Sequence, residues 1–128
     1  MDELVRWLGE QLDKDERIAQ GADPGPWKNN SLGRHDQSVI KLGPPTSTSL
    51  IQFDGSRAAA NGTHVARHDP ARVLRDIEAK REVVRLAERA HDYHETFMNG
   101  FAAALEGTLR LFALAYADRP GYRRDWRP

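Results

Sequence analysis

Leu4, Val5, Leu8 and Leu12 recur at helical spacing, with polar and charged residues between them. That period predicts an amphipathic helix over residues 3–20, capped by Asp2 and favoured by acids in its first turn. Trp7 and Ile18 lie off the stripe, so this helix is expected to touch a second surface. Gly21 to Pro26 ends it. Asp23-Pro24-Gly25-Pro26-Trp27 reads as a rigid turn with Trp27 as its anchor against the core.

Two short β-branched runs follow, Ser38–Leu42 and Ser49–Phe53, separated by a loop rich in Gly, Pro, Ser and Thr. They predict two antiparallel strands, and because an isolated hairpin is marginal they must lie on helices or gain a third strand near Trp27. Residues 56–62 carry weak helical character around Ala58, Ala59 and Ala60, broken at Asn61-Gly62, with Thr63 capping a single turn through Arg67. Asp69-Pro70 starts the best-defined helix: Asp is a preferred N-cap, and Pro at the first helical position lacks only an N–H that is not needed. Val73, Leu74, Ile77 and Val84 form its apolar stripe, Asp76 and Lys80 pair on its wet side, and the stripe rotates towards Leu86, Ala87 and Ala90.

The last long helix is predicted from Thr96 to Ala115, with Met98, Phe101, Ala102, Leu105, Leu109 and Phe112 on one face. Gly100 and Gly107 each cost about 1 kcal/mol in a helix interior, which predicts close packing against another helix. The stretch from His91 to Thr96 reads equally as a turn or as continuous helix. The aromatic, basic end from Tyr116 to Pro128 reads as a latch rather than a disordered tail. The expected architecture is a single α+β domain: residues 1–20 helix, 21–55 turn and small two- or three-stranded antiparallel sheet, 56–115 helical, 116–128 latch. Its two long C-terminal helices are joined to the sheet through a short helical corner.

Composition narrows the function. The 128 residues include no cysteine, which excludes disulfides, thiolate metal sites and a Cys nucleophile and fits a reducing cytoplasm. No apolar run approaches a membrane span. Net charge is zero, with 19 basic and 19 acidic residues, which disfavours nucleic acid as a partner. The charge is nonetheless unevenly placed: the first helix is acidic and the tail holds Arg119, Arg123, Arg124 and Arg127. Head and tail can therefore pair within one molecule or between two copies.

Three candidate sites emerge. His64 and His68, spaced i,i+4, and His91 and His94, spaced i,i+3, could hold a divalent metal for a hydrolase or nuclease; Val65 stands where a zincin carries its glutamate, and Asp69 is already engaged as a cap. The bland alternative, a hydrogen-bonded corner built on Asp69 and Pro70 with no cofactor, accounts for the same residues. The dipeptides His35-Asp36, His68-Asp69 and His91-Asp92 suggest an HD-type phosphohydrolase, but the first lies in a loop whereas that class carries its ligands on helices. In the tail, Tyr122 and Trp126 interleaved with Arg119, Arg123 and Arg124 could bind nucleic acid, or pack as a latch against Asp13, Asp15 or Glu16. No phosphate loop and no nucleophile elbow is present.

Leu12–Glu16, Pro24–Trp27, His64–Arg75 and Tyr116–Pro128 resemble a family of small uncharacterised proteins from streptomycetes and related actinobacteria. A looser resemblance, through the Pro-Gly-Pro-Trp turn followed by strands and a helical segment, is to Ead-type phage early proteins. The resemblance implies a domain of unknown function with a phage or prophage connection, and a histidine where this chain has Arg119. The expectation is a cytoplasmic, non-enzymatic accessory or regulatory protein that binds another protein.

Overall fold

The N-terminal helical period produces α1, Asp2–Gly21, and the β-branched runs produce β2, Gln37–Lys41, and β3, Leu50–Asp54. The third strand is β1, Lys28–Asn30, directly after Trp27. The order is β1-β2-β3, antiparallel throughout, with Asn29 opposite Ile40 and Ile40 opposite Ile51. Helices α2 (Ala58–Arg67), α3 (Pro70–Asp92) and α4 (Met98–Leu114) follow, then a 3-10 turn at Arg124–Trp126. The class is α+β. This computed structural model describes residues 1–30, 35–92 and 98–128. They divide into two compact units, a sheet unit of Glu16–Asp76 and a helical unit of Met1–Asp15 with Ile77–Pro128. No helix among the described residues is long and apolar enough to cross a membrane.

In the sheet unit, strand alternation turns Ser38 and Ile40 inward, and both are buried together with Ala58 and Gly62 of α2. Gly62 is the reason α2 can approach: a Cβ there would collide with the Ser38 hydroxyl and lie 3.0 Å from its Cβ and 3.2 Å from Ile40 Cδ1. A polar relay ties the same layers. Ser38 Oγ donates to Asn29 Oδ1, Asn29 Nδ2 to Thr63 Oγ1, and Thr63 Oγ1 to the Ala59 carbonyl.

Asp69 caps α3 as the sequence predicts, its Oδ1 accepting from Arg72 N–H at 2.9 Å, while Pro70 opens the helix. Its other oxygen, Oδ2, accepts the backbone N–H of Trp27 at 2.9 Å, so one buried carboxylate holds both the helix start and the Pro-Gly-Pro-Trp turn. Gly25 lets that turn lie close, because a Cβ there would be 2.6 Å from Ala71 Cβ and 2.7 Å from Asp69 Oδ2. Trp27 is half-buried, and its indole N–H donates to the Asp23 carbonyl within the turn.

In the helical unit, α1 buries Leu4, Trp7, Leu8 and Leu12, α3 buries Ile77, Ala87 and Ala90, and α4 buries Leu109 and Ala113. Trp7 does meet a second surface, the C-terminal segment; Ile18 is exposed. Four expectations are corrected. Asn61-Gly62 does not break the helix: α2 runs unbroken through it, since contact with the sheet repays the glycine, and Thr63 bonds back to the preceding turn instead of capping. Asp76 pairs with Arg72, while Lys80 donates to the Tyr116 hydroxyl. Phe101 lies on the exposed side of α4. Gly100 and Gly107 mark no close packing, because a Cβ at either would meet nothing within 4 Å. The question of turn or helix after His91 falls on residues 93–97, outside the described residues.

Three substitutions at two positions test this arrangement. Asp69→Ala should cost roughly 2–4 kcal/mol, about 1 from the lost cap and the rest from the stranded Trp27 N–H. Asp69→Asn should keep the cap and lose only the second bond, giving an intermediate melting temperature. Gly62→Ala should cost roughly 1–3 kcal/mol by overpacking against Ser38; chemical denaturation reads both.

Candidate functional site

Three places gather most of the residues singled out by the sequence, while His35 and Asp36 lie apart from them, exposed before β2. At the end of α2, His64 and His68 are exposed, with ring centroids 4.3 Å apart. His68 Nδ1 lies 2.7 Å from the His64 carbonyl, one of the terminal carbonyls of the helix. Both oxygens of the adjacent Asp69 are engaged by backbone N–H groups. His91 belongs to the helical unit, and His94 lies outside the described residues. Among the described residues no group of three or more His, Asp or Glu could hold a metal ion.

The second place is the C-terminal segment. Trp7, Tyr122 and Trp126 form an aromatic triad, with centroids 5.8 Å apart for Trp7–Tyr122, 5.4 Å for Trp7–Trp126 and 6.0 Å for Tyr122–Trp126. Trp7 also donates its indole N–H to the Pro120 carbonyl at 3.0 Å. Gly121, at a φ of +88°, makes room: a Cβ there would stand 2.7 Å from Trp7 Nε1. Arg119 bonds Asp15 at 2.8 Å and Gln11 at 3.4 Å while its guanidinium lies 4.6 Å from the Tyr116 ring centre. Arg123 pairs with Glu3 and with Asp125. Acidic head and basic tail therefore pair within the chain. Arg124 is exposed, with no ion-pair partner among the described residues. Gln11, buried although polar, and Gly121 were not singled out by sequence; a polar residue inside the apolar stripe and a Pro-Gly beside aromatics were the available signals.

The third place is a polar cleft of about 420 Å³ in the helical unit, between the start of α1 and the last turn. His91, Glu106, Arg110, Arg123, Asp125 and Glu3 line it. Its charges are largely spent on one another: Arg110 bonds Glu106 at 3.2 Å and the Asp125 carbonyl at 2.8 Å. Hydrogen bonding from Arg123 holds the Asp125 carboxyl below the ordinary carboxylate range, and the same bond raises the Arg123 guanidinium. Among the charged groups of this set, Arg110, Glu106, Arg123, Asp125 and Glu3 are engaged with one another, while His91 has no such partner in the cleft among the described residues.

A model of a family of unknown function matches residues 1–128. The chain belongs to the DUF6221 family. No curated protein and no solved structure matches it.

One surface of this DUF6221 chain stands apart from the three places above. On α4, Phe101 is 65% exposed, Leu111 56% and Leu114 43%, and Gly100, Ala103, Ala104 and Ala115 are exposed beside them. The charged residues of α4 are Glu106 and Arg110, which pair with each other, so the exposed face is uncharged. Sequence periodicity missed it because α4 is apolar nearly all round, and its buried side cannot be picked out by pattern alone.

The triad yields two expectations. The Tyr122 hydroxyl is buried with no hydrogen-bond partner among the described residues, so Tyr122→Phe should leave the melting temperature unchanged or raise it, whereas Trp126→Ala should cost about 3–5 kcal/mol. Because the folded Asp125 pKa lies below its unfolded value of about 3.9, its pairing contributes fully above that pH and is lost as pH falls through the folded value. A carboxyl NMR titration should therefore show Asp125 titrating below free aspartate, and Arg123→Ala should move it upward.

Proposed function

We propose that this DUF6221 protein is a non-catalytic accessory protein that binds another protein by inserting α4 into an apolar groove on its partner. The observation that carries this reading is the uncharged exposed face of α4, from Phe101 to Leu114. A contiguous apolar face on an exposed helix is the kind of surface that protein-interaction sites use.

The shape of the face favours a groove. At 100° per residue, the exposed positions 100, 101, 103, 104, 111, 114 and 115 cover an arc of roughly 160°, wider than the narrow seam of a helix pair. Seventeen residues make α4 about 25 Å long, and a flat contact about 10 Å wide along it would cover roughly 250 Å². A standard interface needs about 800 Å² per partner, so two copies meeting only along α4 fall well short. A groove that wraps the helix recovers the missing area and reads its anchors at helical spacing. Having no charge on this face, α4 calls for a partner groove without unpaired charge. The resemblance to actinobacterial proteins and to phage early proteins supports an accessory role in a phage or prophage setting.

Photo-crosslinking from position 111 in the native host should trap one partner, with no product from a crosslinker at Arg57. Leu111→Glu, which should change stability by only about 0.5 kcal/mol at so exposed a site, should abolish binding to that partner. Hydrogen exchange in the purified complex should show new protection on α4. Binding that survives Leu111→Glu, or α4 protection produced by self-association alone, would overturn the reading.

A further inference from the structure

The two histidines at the end of α2 are arranged for chemistry that the protein-binding reading leaves unused. Both rings are exposed, one helical turn apart, with centroids 4.3 Å apart and planes inclined by 34°. A carbonyl oxygen can only accept, so the 2.7 Å contact between His68 Nδ1 and the His64 carbonyl requires the proton on Nδ1. That hydrogen bond fixes the tautomer and leaves the lone pair of His68 Nε2 free, the same way second-shell bonds prepare a metal-binding imidazole. Two nitrogen ligands, each about 2.1 Å from an ion, must sit roughly 3 Å apart, so the two rings, with centroids 4.3 Å apart, must turn to bring one nitrogen of each to that separation.

We infer that His64 and His68 form a two-imidazole chelate for a divalent transition ion of the zinc, nickel and copper class. The donor set selects the class. Imidazole nitrogens suit these ions, while the nearest carboxylate, Asp69, has both oxygens committed, so magnesium and calcium find no oxygen ligands. With two protein ligands the remaining positions go to water or to an exchangeable anion. The site is thus an open, exchangeable one, and affinity should follow the order of nickel below copper and copper above zinc.

The experiment uses the untagged full chain and Ni²⁺ alone as probe, followed by calorimetry at pH 7.5. One ion per chain is expected, with affinity at least 10-fold weaker in His64→Asn and in His68→Asn, and unchanged in His91→Asn and His35→Asn. Circular dichroism of each variant checks that α2 remains folded, and His64→Gln offers a second variant that leaves the His68 cap intact. The imidazole resonances of His64 and His68 should shift together on adding Zn²⁺. Absence of a 1:1 heat, equal affinity in the double His64/His68 variant, or dependence on His91 would overturn the assignment. Because Leu111→Glu leaves this site untouched, its outcome is independent of partner binding through α4.

Discussion

One buried carboxylate carries an unusual share of the sheet unit. Asp69 accepts Arg72 N–H with one oxygen and Trp27 N–H with the other. The first bond satisfies an orphan donor at the start of a 23-residue helix; the second fixes the turn from which β1 departs. Because the group is buried, each bond matters more for what its loss would strand than for what it contributes. Gly25 next to it and Gly62 against Ser38 and Ile40 of the sheet remove side-chain volume where elements must approach.

The helical unit is organised differently, by an aromatic anchor instead of a charge. Trp7 packs on Tyr122 and Trp126 and donates to Pro120, so the last residues of the chain are held on the first helix. The arginines around it pair with Glu3, Asp15 and Asp125. Such exposed or half-exposed pairs add little individually, and their role is to set where the segment lies. Trp7, Tyr122 and Trp126 pack on one another, so the segment that carries the basic residues is held against the first helix.

What remains available for function is therefore what these two arrangements do not consume. In the polar cleft beside His91, Arg110 and Glu106 are paired with each other and Arg123 with Glu3 and Asp125. The face of α4 and the imidazole pair at the end of α2 are not so paired: one exposes apolar area, the other two imidazoles, of which His68 is held by its contact with the His64 carbonyl.

The sequence by itself determined the elements whose signals are local. The Leu4 to Leu12 period, the β-branched runs and the Asp69-Pro70 start each specify a segment through near-neighbour physics, while the instability of a lone hairpin required either packing on helices or a third strand beside Trp27 without choosing between them. The i,i+4 spacing of His64 and His68 was also legible, because helix geometry alone makes them neighbours. Tertiary structure decided the rest. Only the packing of α2 on Ser38 and Ile40 shows why Asn61-Gly62 stays helical, and only the position of Trp27 gives Asp69 its second bond. Which side of the nearly all-apolar α4 is buried depended on contacts distant in sequence, and so Phe101 faces outward against its periodicity.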